Sequence, residues 1–129
     1  MTKNFAAIIL ISLFAFASCK KDNNEPVKTL TEYDSGKTLA VKAGQTFLLT
    51  LGNPGDNGYR FNDPILDASI LTLISHSHKD PSNKSMMGDF GTDTWKFSAM
   101  KTGSSVLKIT ASRTKTDSIP MFTDTIAVQ

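Results

Sequence analysis

Phe47-Leu48-Leu49-Thr50-Leu51 and, further along, Trp95-Lys96-Phe97-Ser98-Ala99 share one alternation. Every second residue is apolar, so Phe47, Leu49 and Leu51 fall on one face of an extended chain, as do Trp95, Phe97 and Ala99. A helix would scatter the same residues around its axis. Working outward, Leu39 and Val41 repeat the pattern, as do Leu107, Ile109 and Ala111, and then Phe122 with Ile126 and Val128. Ile70 to Ile74 is a shorter apolar segment, and Tyr59-Arg60-Phe61 starts a strand after a loop. Ala43-Gly44-Gln45 and Lys101-Thr102-Gly103 supply turns, while Asp63 to Ser69 is read as room for a single helical turn. About seven strands in roughly 95 residues, with turn signals between them, predict an all-β, immunoglobulin-like antiparallel β-sandwich over residues 35–129. A small barrel is the alternative closure. No Cys-Trp-Cys arrangement braces the core, which must rest on packing alone.

The chain of 129 residues is one domain's worth. Lys+Arg 14 against Asp+Glu 12 leaves a formal charge of +2, and no basic cluster appears, so a nucleic-acid partner is not expected. Glutamate occurs only at Glu25 and Glu32, while Thr and Ser abound, a bias towards strands over helices. A single cysteine permits neither an internal disulfide nor a cysteine-based zinc site. No Gly-x-Ser-x-Gly elbow and no phosphate-binding glycine loop occurs, so an enzyme is not expected, and no cofactor is called for. His76 and His78, two apart on a strand, point to one face, and with Asp80 they are the one arrangement that suggests a metal. Exposed histidines at the end of an edge strand are the simpler expectation, and no metal site is assigned.

The single cysteine is placed tellingly. Met1-Thr2-Lys3-Asn4 is weakly basic, and Phe5 to Ala17 runs without a charge, too short for a membrane span and fitting the apolar core of a secretory signal. The run closes on Phe16-Ala17-Ser18-Cys19, which resembles the lipobox of bacterial lipoproteins. That resemblance implies a signal peptide at residues 1–18, cleavage before Cys19 and a lipid on its thiol. Residues 19–34 then form a polar tether beginning Lys20-Lys21-Asp22-Asn23-Asn24-Glu25, with the stretch from Pro26 to Asp34 leading into the fold. The expected location is the bacterial cell envelope, held to a membrane through Cys19. Lys20 after the cysteine is not an aspartate-type retention signal, which favours the outer membrane.

Three connections are longer or richer in glycine than hairpins require. The first is Asn53-Pro54-Gly55-Asp56-Asn57-Gly58-Tyr59, the second runs from Lys79 to Thr92 through Met86-Met87-Gly88-Asp89-Phe90-Gly91, and the third runs from Arg113 to Pro120. In a seven-strand Greek-key sandwich they fill the second-to-third, fourth-to-fifth and sixth-to-seventh connections, which gather at one end. Taken singly, each is an ordinary loop; Asn57-Gly58 alone is a common hairpin signal.

Taken together, the motifs resemble the chagasin-like inhibitors of papain-type cysteine proteases. That family carries an Asn-Pro-x-x-Gly-Tyr/Phe loop, a Gly-rich loop before an aromatic strand, and an Arg-Pro-Trp loop. The counterparts are Asn53-Pro54 with Gly58-Tyr59, Gly88-Asp89-Phe90-Gly91 ahead of Trp95-Lys96-Phe97, and Arg113. The resemblance spans Ser35 to Gln129. It implies a monomeric, non-covalent, reversible inhibitor that wedges three loops into the cleft of a papain-like protease, whether the cell's own, a competitor's or a host's. The protease-binding residues it implies are Asn53 to Tyr59, Met87 to Gly91 and Arg113. Two departures stand out. The first loop is one residue longer than the family pattern, and Thr114-Lys115 replaces the Pro-Trp pair, removing an aromatic anchor worth about 2 kcal/mol or more.

The competing expectation is an immunoglobulin-like adhesion or carbohydrate-binding module on the same anchor. Tyr59, Phe61 and Phe90 would serve as its exposed aromatics.

Overall fold

The computed structural model describes residues 25–129. The signal segment and Cys19 lie outside the described residues. Eight strands follow in order: β1 Pro26–Leu30, β2 Thr38–Val41, β3 Thr46–Gly52, β4 Arg60–Phe61, β5 Leu71–Lys79, β6 Thr92–Ala99, β7 Gly103–Ser112 and β8 Ser118–Val128. They form two four-stranded sheets, β1-β3-β6-β5 and β2-β8-β7-β4. The all-β sandwich expected from the alternation is present, with one strand more than the seven counted.

The alternation does the work assigned to it. Phe47, Leu49, Leu51, Trp95, Phe97 and Ala99 are buried from the first sheet, against Leu107, Ile109, Phe122, Ile126 and Val128 from the second. Each large side chain so buried is worth about 1.5–3 kcal/mol. Phe47 stacks on Phe97 with ring centroids 5.3 Å apart, and Phe61 meets Trp95 edge-on at 4.8 Å. Trp95 is thus a core residue, as its shared face with Phe97 and Ala99 predicts.

The extra strand comes from the stretch read as tether. β1 runs parallel to β3, pairing Thr29 with Leu48 and Leu30 with Leu49, and Leu30 is buried. The sandwich therefore begins at Pro26 and takes in residues that the polar composition assigned to the leash. Only Leu30 faces inward, and one apolar residue in a strand leaves no visible period. The chain then crosses between the sheets through a tight turn at Glu32–Asp34, where Asp34 accepts the Thr31 backbone N–H at 3.0 Å. β2 pairs parallel with β8.

Of the helical turn expected within Asp63 to Ser69, the structure keeps only a hydrogen-bonded turn at the far end of the stretch, with no helix. The hydrogen-bonded turn lies at Asp67, whose carbonyl accepts from both Ile70 and Leu71, and whose carboxylate accepts the Ser69 N–H at 2.9 Å. β5 continues well past the apolar segment that announces it, with a bulge between Leu73 and Ser75 that shifts its register against β6.

Candidate functional site

The three long loops become the connections β3–β4, β5–β6 and β7–β8. They meet at one end of the sandwich, as the Greek-key order predicts.

The first loop is wound into a short 3-10 turn at Gly55–Asn57 and closed by Gly58, whose φ of 76° is a left-handed conformation that glycine adopts without strain. Asn53 organises its base. Its Oδ1 accepts the Gly55 N–H at 2.9 Å, its backbone N–H donates to the Gly91 carbonyl at 2.9 Å, and its Nδ2 donates to Asp93 Oδ2 at 2.7 Å. The side chain expected to meet a protease is thus engaged within the protein, holding the loop in shape. Asp56, Asn57 and Gly58 beyond it are exposed.

The second loop lies beside the first. A β-carbon at Gly55 would stand 2.8 Å from Phe90 Cδ1, and one at Gly88 would lie 3.8 Å from Asp56 Oδ2. Met87 is 98% exposed and Phe90 45%. Asp89 accepts the Gly91 N–H at 2.9 Å, and Gly91 at φ 81° passes so close to the Lys79 carbonyl that no side chain fits. A cavity of about 400 Å³ opens between the loops, lined by Asn53, Gly55, Gly58, Tyr59, Arg60 and Phe90.

The third loop is tied to the first through Tyr59. The Tyr59 hydroxyl donates to Asp117 Oδ1 at 2.8 Å, and Arg113 donates from Nε and Nη2 to Asp117 Oδ2 at 2.9 and 2.6 Å. The Arg113 guanidinium also lies over the Tyr59 ring, 5.2 Å from its centroid. The hydrogen bond from Tyr59 and the pair with Arg113 together hold the Asp117 carboxyl below the usual range, and that same bond raises the Tyr59 hydroxyl. Arg113, one of the protease-binding residues implied by the resemblance, braces its own loop and keeps about half of its side chain exposed. Thr114 and Lys115 are exposed at the tip.

Of the three aromatics proposed for a sugar platform, Phe61 is turned onto Trp95 and Tyr59 lies under Arg113. Phe90 alone is exposed, and no flat aromatic surface results.

Behind the first two loops sits a group that sequence patterning did not single out. Asp93, at the start of β6, is only 4% exposed. Besides Asn53 it faces His76 Nε2 at 2.7 Å on Oδ1 and His78 Nδ1 at 2.9 Å on Oδ2. His76 also stacks on Trp95, centroids 4.5 Å apart with planes 9° from parallel. The two histidines do share a face, and they use it on Asp93. Burial works against ionising Asp93, yet hydrogen bonds from Asn53, His78 and His76 outweigh it and hold the carboxyl below its usual value.

The model of the chagasin family of peptidase inhibitors, I42, matches residues 40–128. The cysteine protease inhibitor EhICP2 from Entamoeba histolytica superposes with a TM-score of 0.63 at 17% identity, over 81% of this chain and 100% of its own. Amebosin superposes with a TM-score of 0.64 at 18% identity, over the same shares. At such identities the superpositions speak for the fold. No curated protein sequence matches the chain.

Proposed function

Since the chain belongs to the chagasin family of peptidase inhibitors, and is not an enzyme, we propose that it inhibits papain-like cysteine proteases reversibly, without forming a covalent bond, by seating its three joined loops in the active-site cleft. The observation that carries this reading is the cross-bracing of the loops. Asn53 to Gly91, Gly55 to Phe90 and Tyr59 to Asp117 make one preformed surface from three separate connections. Preorganisation of this kind limits the entropy lost on docking.

Within that surface the roles divide. Asp56, Asn57, Met87, Gly88 and Phe90 face outward and supply contact, with Gly88 letting the backbone approach a narrow cleft. Asn53, Asp89, Gly91, Tyr59 and Arg113 hold the loops in place. With no Pro-Trp pair after Arg113, the exposed Met87 and Phe90 provide the apolar contact area. The lipobox-like Phe16-Ala17-Ser18-Cys19 supports a lipid anchor on Cys19 and a place in the bacterial cell envelope, the outer membrane by preference, where the domain acts as a monomer.

The test is a titration of papain or cathepsin L with the full chain in detergent. Stoichiometric loss of activity, with the inhibitor recovered uncut, is expected. Full protease activity at about micromolar inhibitor, where standard-sized inhibitory interfaces bind well, would remove this reading for that protease class. Gly88 is left-handed at φ 85°, so Gly88→Trp both fills and strains the second loop. It should abolish inhibition and leave the sandwich intact; unchanged inhibition would mean that the second loop stays out of the cleft.

A further inference from the structure

Three segments distant in sequence converge on one buried carboxylate. Asn53 arrives from the first loop, His76 and His78 from β5, and Asp93 itself stands on β6 two residues after Gly91 closes the second loop. A carboxylate only accepts hydrogen bonds, so each of these neighbours must present an N–H. Asn53 does so with Nδ2, which leaves its Oδ1 free to accept from Gly55. Asp93 therefore fixes which way the Asn53 amide points, and with it the geometry of the turn at Gly55–Asn57.

His78 is the member whose protonation the geometry dictates. Its Nδ1 lies 2.9 Å from Asp93 Oδ2 and its Nε2 lies 3.4 Å from Asp80 Oδ1. A neutral imidazole has one N–H and one lone pair, so it would turn a lone pair towards one carboxylate. Only the imidazolium satisfies both. Asp80 is in turn 3.5 Å from Lys84 Nζ. The residue packed edge-on to Trp95 from the opposite sheet, Phe61, carries no charge. His76 contributes an N–H from Nε2 and shields the carboxylate with a ring stacked on Trp95.

We propose that Asp93 is the positioning residue of the first loop, and that the imidazolium of His78, donating to Asp93 and Asp80 at once, pins Asp93 where it grips Asn53. A neutral His78 keeps only one of those two bonds, so inhibition weakens as His78 loses its proton. The inhibitory readout rests on the function proposed above, while the grip on Asn53 is a property of the free chain. The hydrogen bond to Asp93 raises the His78 pKa, with burial opposing and the charges of Asp93 and Asp80 adding to it. The contribution is therefore complete below the ordinary imidazole value of 6.5 and is lost as pH rises through the higher folded value.

The experiment compares wild type with His78→Gln, an exposed-edge substitution that keeps a polar side chain but takes no proton. Inhibition constants against papain are measured from about pH 5.5 to about pH 8.5, bracketing the imidazole range, as wild-type-to-variant ratios that cancel the protease's own pH response. The Asn53 side-chain amide resonances of the free protein are followed over the same range. Wild type should lose about tenfold in affinity relative to its acid value while the variant stays level, a size expected of one charge-assisted hydrogen bond. The Asn53 amide should shift with the midpoint of the His78 ring signals. A ratio that does not change with pH, or Asn53 signals indifferent to His78, overturns the proposal even where wild type inhibits well. If wild type fails to inhibit at any pH, the inhibitor reading falls, and the Asn53 signals still decide the grip. Asp93→Asn is the second variant, expected to abolish the pH response; its melting temperature separates that loss from unfolding.

Discussion

The ring of Phe90 in the second loop lies against the bare α-carbon of Gly55 in the first, so close that a methyl group there would stand 2.8 Å from Cδ1. The backbone at Gly55 is not left-handed, so alanine fits the turn and offends only its neighbours, Phe90 and the side-chain oxygen Oδ1 of Asn53. Gly55→Ala should therefore displace Phe90, disturb the Asn53 brace and weaken inhibition by roughly tenfold, with a stability loss of about 1 kcal/mol because both neighbours must shift to admit the methyl group. Parallel inhibition and thermal-melt measurements check it; unaltered affinity would show that the two loops need not touch.

Gly91 is the opposite case. It is left-handed, and a β-carbon would collide with the Lys79 carbonyl oxygen, a backbone atom that cannot step aside. Gly91→Ala should cost about 3 kcal/mol, combining backbone strain with a forced separation of β5 from the second loop. Chemical denaturation would reveal this as a lowered midpoint at unchanged slope.

Tyr59→Phe removes the hydroxyl that links the first loop to Asp117 in the third. Both groups are half-buried and lie outside the core, so the fold should survive. Inhibition should weaken by roughly threefold, as expected for one solvent-accessible hydrogen bond. In wild type the lowered Asp117 pKa means that this link is present above the ordinary carboxylate value of 3.8 and disappears as pH falls through the folded value. A drop in strong acid that is larger for wild type than for the variant, which keeps the Arg113–Asp117 pair, would bear this out.

Lys115 occupies the place where the family carries tryptophan. Lys115→Trp should restore an aromatic anchor on an exposed tip whose backbone is already braced by Arg113 and Asp117. A gain of about 2 kcal/mol, or roughly thirtyfold in inhibition constant, is expected. No gain would mean that the third loop sits clear of the protease.

Asp124 on β8 is 2% exposed, and its Oδ2 has no hydrogen-bond partner among the described residues. Burial raises its pKa, outweighing the bond from the Thr125 N–H, with Asp34 adding to the rise. A raised carboxylate destabilises the fold once ionised, so stability should fall as pH climbs through the folded value. Asp124→Asn should gain about 1 kcal/mol near neutral pH and lose that pH dependence, read by thermal melts across pH.

The period-two alternation made the sandwich and most of its core legible, since Phe47, Leu49, Trp95 and Phe97 advertise their faces locally. The glycine-rich loops were equally visible, because turns and close backbone approaches demand particular residue types at particular places. β1 was not, because a parallel edge strand with one inward residue, Leu30, has no period to read. Nor were the bracing tasks of Asn53 and Arg113, which depend on where the fold places their partners Asp93 and Asp117.

The clearest division falls in β5. By simple alternation Leu71 and Leu73 share a face, and His76 and His78 belong to the other. The bulge between Leu73 and Ser75 inserts one residue, reverses that parity and places His76 opposite Trp95 and His78 opposite Asp93. Local chemistry thus determined that this chain builds a sandwich with three unusual loops. Only the tertiary structure decided that a buried carboxylate would join two histidines and Asn53, because cross-strand hydrogen bonds depend on register, and register is a property of the assembled sheet.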